Sequence, residues 1–141
     1  MFSKACEYAI KAMIYIESDG DKDKKIRLNE IAAAIDSPVA FTAKILQQLK
    51  KSGLLISTIG AKGGFQTRPD RQVNIKEIIT AIDGEHLFTE CILGLKTCSS
   101  VNPCPMHEKY MKIKKSLLQL TEGSNLTEFS ESINNRTVLL K

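Results

Sequence analysis

Residues 37–68 read SPVAFTAKILQQLKKSGLLISTIGAKGGFQTR, and the rest of the chain is best understood outward from them. Ser37-Pro38 reads as a helix start, with the hydroxyl as N-cap and proline at the first helical position, where its missing N–H costs nothing. Phe41, Ile45, Leu46 and Leu49 recur at helical spacing and give the helix a face to bury, and Gly53 stops it. The opposite face carries Ala40, Ala43, Lys44, Gln47, Gln48 and Lys51, with Ser37 and Val39 at its start. LLISTI, 54–59, is β-branched and apolar enough for a strand, and Phe65 to Arg68 supply its partner. GAKGG, 60–64, joins them as a glycine-rich turn with Lys62 at the tip, so the hairpin reads as a wing. Glycines there let the backbone lie close to a phosphate, or enter a narrow minor groove with the basic residue. A nucleotide-phosphate loop is disfavoured, because G-x-x-x-x-G-K-[ST] is absent and no helix follows directly.

Upstream, Phe2, Cys6, Ala9, Ile10, Met13, Ile14 and Ile16 step as an amphipathic helix over 2–17. SDGDKDKK, 18–25, is a polar turn broken at Gly20, and Ile26 suits a short strand. Leu28, Ile31, Ala32 and Ile35 mark a helix of about two turns ending near Asp36. This helix and the next form a helix-turn-helix whose second member shows small, amide and basic side chains to a major groove. The plain alternative is a helical hairpin whose polar face meets only water. Charge favours the first reading. Residues 1–37 hold six basic and seven acidic groups and residues 69–141 nine of each, whereas 38–68 hold Lys44, Lys50, Lys51, Lys62 and Arg68 with no Asp or Glu. All the excess positive charge of this +4 chain therefore sits in one segment, as a surface meeting a polyanion requires.

Downstream, Asn74 caps a helix over Ile75 to Asp83, and Gly84 leads into CILGLKTCSSVNPCPMH, 91–107. Three of the four cysteines lie there, spaced C-x6-C-x5-C, with His107 close behind Cys104. Thiolates and imidazole suit iron-sulfur clusters, zinc or copper(I). Gaps of six and five are too long for the C-x2-4-C pairing of structural zinc and fit a loop around something larger. Three unpaired thiols in a surface loop remain the bland alternative. Pro105 opens a long helix with Met106, Tyr110, Ile113, Leu117 and Leu120 as an apolar seam and Lys109, Lys112, Lys114 and Lys115 outside it. That seam suits pairing with the same helix of a second subunit. Gly123 closes the helix, Leu126 to Ile133 form a small packing helix, and the tail from Asn134 reads as frayed.

With 141 residues, 43% of them hydrophobic and 26% charged, the composition is that of an ordinary globular protein. No apolar run reaches the ~18 residues of a membrane span, and the N-terminus lacks signal-peptide character, so a cytoplasmic protein without a membrane partner is expected. Thiols there stay reduced, which favours ligand or redox roles over a disulfide framework. An enzyme is not expected, since C-x-x-C, a nucleotide fingerprint and a general base beside the thiols are all missing.

YAIKAMIYI at 8–16, EIA at 30–32, KILQQLKKSGLL at 44–55, GGF at 63–65 with RP at 68–69, VNIKEIITAIDGE at 73–85 and the cysteine loop occur in one order. Together they resemble the Rrf-two (BadM-type) winged-helix transcription regulators over nearly the whole chain. The resemblance implies a mainly α fold with a small β wing: a winged helix-turn-helix over 1–84, a cysteine-rich sensor loop over 85–105, and a dimerisation helix and tail over 106–141. It implies a homodimer on a double-stranded DNA operator, controlled by an iron-sulfur cluster on Cys91, Cys98 and Cys104. A two-iron two-sulfur cluster is expected, with four-iron four-sulfur the alternative. His107 matches the fourth ligand of IscR-like members at Cys-x2-His, and Glu7 matches the acidic ligand that NsrR-like members take from the partner subunit's first helix; His107 is preferred. Ser37, Val39, Ala40, Ala43, Lys44, Gln47, Gln48, Lys51, Lys62 and Arg68 become the expected DNA surface. The same regulator acting as a cluster-free thiol or zinc sensor is the alternative. Three positions depart from the pattern: the first cysteine gap is six rather than five, Ile59 stands where many members carry arginine, and Ala43 stands where glutamate is common. Cys6, on an apolar face, is expected to be a buried small hydrophobe.

Overall fold

A computed structural model describes residues 1–19, 23–135 and 140. The expected breaker Gly20 lies outside the described residues, as does most of the tail expected to fray from Asn134; of that tail, Asn134 instead ends a helix and Asn135 caps it, and Leu140 is also described. Among the described residues the elements are α1 (Lys4–Ser18), α2 (Leu28–Ala34), α3 (Val39–Lys51), β1 (Leu55–Thr58), β2 (Gly64–Thr67), α4 (Ile75–Asp83), α5 (His86–Thr89), α6 (His107–Gly123) and α7 (Leu126–Asn134). The fold is mainly helical with one small antiparallel sheet, as the sequence implied.

Helix α1 is the central strut. Its Cys6, Ala9, Ala12 and Met13 are fully buried among Ile31, Leu46, Leu49, Ile78 and Ile79. Both ends are fixed by polar contacts. Ser3 caps the helix by accepting from Cys6 N–H at 3.0 Å, while the Ser3 amide donates to Asp83 at the end of α4 at 2.9 Å. At the other end the Glu17 carboxylate accepts from Thr67 of the wing and from Thr127 of α7.

Helices α2 and α3 pack as the expected pair. The turn is a left-handed one: Asp36 has φ 53° and the Ser37 amide reaches back to Ala32 O at 3.0 Å. A short polar residue tolerates that conformation better than a branched one. One expected detail changes here. The helix begins a residue later, with Pro38 at the cap, and the Ser37 hydroxyl is hydrogen-bonded to Thr42 Oγ1 at 3.0 Å instead of capping the backbone. Thr42 donates its one hydroxyl proton to Pro38 O at 2.9 Å and accepts from Ser37, so this buried hydroxyl is satisfied within the turn.

In the wing, Leu55 pairs with Thr67 and Thr58 with Gly64. Ile26 adds a third rung, exchanging backbone hydrogen bonds with Phe65 at 2.9 and 2.8 Å. This explains the paired glycines more directly than close approach to a phosphate does. A Cβ on Gly63 would stand 2.2 Å from Thr58 O, and one on Gly64, at φ +152°, would stand 2.7 Å from Ile26 O. Both obstacles are backbone, which cannot swing aside. Gly64→Ala is accordingly expected to destabilise the protein by about 1–3 kcal/mol, read as a lower urea midpoint at unchanged m-value.

Asn74 forms a full capping box with Glu77 on α4. Asn125 caps α7 by accepting from Glu128 N–H, and the two starts are stitched together by Ile75 N–H to Ser124 O and Leu126 N–H to Val73 O. Helix α6 lies against α4 and α5, tied by the Lys76–Glu122 ion pair at 2.7 Å. Two expectations for it change. It starts at His107 rather than Pro105, and Lys114, expected outside the apolar seam, is buried while Met106, Ile113 and Leu120 of that seam are exposed. The helix is rotated so that Thr121 and Lys114 meet the domain; Leu117 of the seam packs against the core and Tyr110 is half-buried, while Met106, Ile113 and Leu120 face away.

Candidate functional site

Two surfaces carry the chemistry. The first is the loop after α5. Gly84 breaks α4 at φ 76°, α5 makes one further turn, and Cys91 follows immediately. Cys104 and His107 stand at the entry to α6, where the His107 amide donates to Cys104 O at 3.0 Å. The fold therefore brings the four expected donors together as two pairs. Cys91 Sγ and Cys104 Sγ are 4.0 Å apart, and Cys98 Sγ is 3.6 Å from His107 Nδ1. Among the described residues no three such donors converge as a single metal ion would require.

Cys91 is buried, whereas Cys98, Cys104 and His107 are half-exposed. Backbone N–H groups of Leu93 and then Leu95 hold the Cys91 thiol below its ordinary range, helped by Cys104 and by the Lys114 ammonium and opposed by burial. A sulfur surrounded by such donors is prepared to bind as thiolate. Cys6 is the reverse case: burial, reinforced by Asp83, pushes its thiol up to about 12, and it sits in the core as expected. Glu7 lies on α1 paired with Lys4 at 2.9 Å, and that ammonium lowers its carboxyl pKa. Its side-chain hydrogen-bonding and ion-pair partner among the described residues is Lys4 rather than a residue of the loop.

The second surface is α3 with the wing. Val39, Ala40, Lys44, Gln47 and Lys51 are exposed, Ala43 is half-buried, and Lys62 is exposed at the wing turn. Lys44, Lys51 and Lys62 have no ion-pair partner among the described residues. Three expected contacts are already engaged elsewhere. Ser37 is held by Thr42, Gln48 donates its amide to Ala81 O of α4 at 3.0 Å, and Arg68 forms a two-bond pair with Asp70 at 2.9 and 2.8 Å. Asp70 lies just beyond the acid-free segment, which is why the segment overstated the free charge by one. Arg27 was missed by the sequence reading. Its guanidinium bonds Ala61 O, placing an exposed cation beside the wing turn from a point far away in the chain. Ile59 is 99% exposed at the end of β1, where no packing holds it.

Comparison with known proteins matches residues 2–132 to the model of the Rrf2 family, described as an iron-dependent transcriptional regulator. A putative HTH-type transcriptional regulator of Aquifex aeolicus is 29% identical over 91% of this chain and 90% of its own. Among solved structures, CymR, the global cysteine regulator of B. subtilis, superposes with a TM-score of 0.75 at 18% identity, covering 98% of both chains. IscR of T. potens gives a TM-score of 0.75 at 22% identity, covering 98% of this chain and 91% of its own.

Proposed function

Because the chain belongs to the Rrf2 family of iron-dependent transcriptional regulators, we propose that it is a homodimeric, cytoplasmic DNA-binding regulator whose operator affinity is set by an iron-sulfur cluster. Its family and relatives are transcriptional regulators and not enzymes, and Rrf2 regulators bind DNA, typically as dimers. No described helix is long and apolar enough to cross a membrane.

The observation that carries the cluster is the pairing of the donors. Two thiolates on one tetrahedral metal at about 2.3 Å stand about 3.8 Å apart, close to the 4.0 Å between Cys91 and Cys104. Cys98 and His107 form an equivalent pair at 3.6 Å. A two-iron two-sulfur cluster takes its ligands two to each iron, so this arrangement favours it over a four-iron cluster or a single zinc. His107 is favoured over Glu7 of the partner subunit as fourth ligand, because it already stands beside Cys98 while Glu7 is neutralised by Lys4. When bound, such a cluster supplies an electron couple and a charge that changes with oxidation, nitrosylation or loss.

The protein's part is to convert loop geometry into helix spacing. Cys104 and His107 set the start of α6, whose exposed Met106, Ile113 and Leu120 form the proposed dimer seam. Cys91 follows α5 and α4, and α4 packs on α3 through the Gln48–Ala81 hydrogen bond. A coupling of about 1–3 kcal/mol along this route is enough for a useful switch. On the DNA side, Val39, Ala40, Ala43 and Gln47 face the major groove, Lys44, Lys51 and Lys62 supply phosphate contacts, and Arg27 adds to the wing. Arg27→Ala is expected to weaken operator binding and lower its salt slope by about 2 per dimer, whereas Arg68→Ala, already paired with Asp70, changes the slope little. Electrophoretic titration at several salt concentrations compares the two.

Purification without air provides the test. Visible charge-transfer absorption with matched iron and sulfide, and an operator affinity that differs between holo and apo protein, are expected. A colourless wild-type protein without iron or sulfide after reconstitution overturns the cluster. The 4.0 Å Cys91–Cys104 separation also supports a second reading, a cluster-free thiol sensor. In that case mild oxidation yields a Cys91–Cys104 disulfide in peptide mapping and changes DNA affinity with no metal present.

A further inference from the structure

Among the described residues Lys114 is a buried cation without a carboxylate partner. It is 7% exposed on α6, between the helix and the segment leading into the cysteine loop. Its Nζ donates to Glu90 O at 2.8 Å and lies 5.0 Å from the centre of the Tyr110 ring. No described Asp or Glu forms an ion pair with it. One carbonyl dipole and one ring face are partial compensation for an ammonium removed from water. A buried charge in that condition is costly, and such charges are ordinarily paired.

Placement indicates what would complete the compensation. The carbonyl that Lys114 grips belongs to the residue just before Cys91, which is itself buried. We propose that Lys114 is the counter-cation of the cysteine loop: a positioning residue that holds the Glu90–Cys91 peptide against α6 and offsets the negative charge of the Cys91 thiolate and of the cluster it would ligate. This rests on the cluster reading above and deepens it. The ammonium's action on Cys91, favouring its thiolate, is consistent with that role.

The arrangement has a consequence for signalling. While the loop is anionic, Lys114 is satisfied and α6 is drawn to the α5 end of the loop. When the loop has lost the charge of the cluster, the same ammonium is left buried with a carbonyl and a ring. The charge state of the loop is thereby felt on α6, the helix that carries the proposed dimer seam, without any change in the DNA-reading surface itself.

The experiment uses the full chain with reconstituted cluster and the variants Lys114→Gln, which keeps a donor without charge, and Lys114→Arg, which keeps the charge. Redox titration followed by visible absorption is the readout. At the wild-type midpoint, K114Q is expected to show a reduced-to-oxidised ratio about tenfold lower, equivalent to 59 mV for a one-electron couple, because a positive neighbour favours the more negative state. K114R is expected to stay within about twofold of wild type. Should K114Q fail to assemble a cluster while K114R succeeds, the need for charge is equally shown. Coincident potentials of wild type and K114Q, or failure of both variants to assemble, overturn the assignment in favour of a packing role. Apo protein gives an independent arm: apo K114Q should melt no lower than apo wild type, and a marked drop also overturns the assignment. Iron and sulfide in the wild type, measured first, separate this failure from that of the functional reading, since a wild type that binds neither removes both.

Discussion

Cys98→Ser is expected to give a folded, colourless protein whose iron and sulfide fall to background after anaerobic reconstitution. Serine keeps the shape of the side chain and replaces a soft thiolate by a hard, neutral hydroxyl, which does not hold iron at neutral pH. The loss is total because Cys98 is half of one donor pair, and His107 alone cannot hold the second metal position. The fold is expected to survive, since Cys98 is only half-buried and belongs to no part of the hydrophobic core. Cys6→Ser is the control. Cys6 is fully buried among α1 and α4 contacts, so its replacement should lower stability by about 1 kcal/mol while iron and sulfide stay at wild-type levels. Metal analysis together with thermal melting distinguishes the two; iron retained by C98S at wild-type stoichiometry would exclude it as a ligand.

The second large effect is expected from Lys44→Ala, Lys51→Ala and Lys62→Ala combined. These side chains are exposed and without carboxylate partners among the described residues, so their charge is free to neutralise phosphate. In the proposed dimer the triple variant removes six cations, and at about 0.9 per contact the slope of log K against log salt should fall by about 5. Operator affinity near physiological salt should drop on the order of 10³-fold. The fold is expected to be unaffected, because none of the three packs in the core. Fluorescence anisotropy with a labelled operator over a salt series measures both quantities. An unchanged slope would move the DNA surface away from α3 and the wing.

Much of this was readable residue by residue. The α4 boundaries follow from the Asn74 cap, the isoleucine spacing and Gly84, and they agree with the structure to the residue. The wing followed from β-branched residues flanking glycines, although the reason for two of those glycines is backbone contact with Thr58 and Ile26 rather than with a ligand. Helix periodicity and charge count place Gln48 and Arg68 among the free DNA contacts, whereas in the fold Ala81 and Asp70 already engage them.

By itself the sequence determined the principal helices, the Asn74 cap, the winged arrangement and the set of sulfur and imidazole donors. These depend on local periodicity and on side-chain chemistry, which act within a few residues of where they are written. Only the tertiary structure decided which cations are free, that Arg27 joins the wing, and that Lys114 turns inward against the cysteine loop. It alone also sorted the donors into Cys91 with Cys104 and Cys98 with His107. Such pairings depend on where a distant segment returns in space, and Coulomb and ligand interactions answer to that distance rather than to separation along the chain.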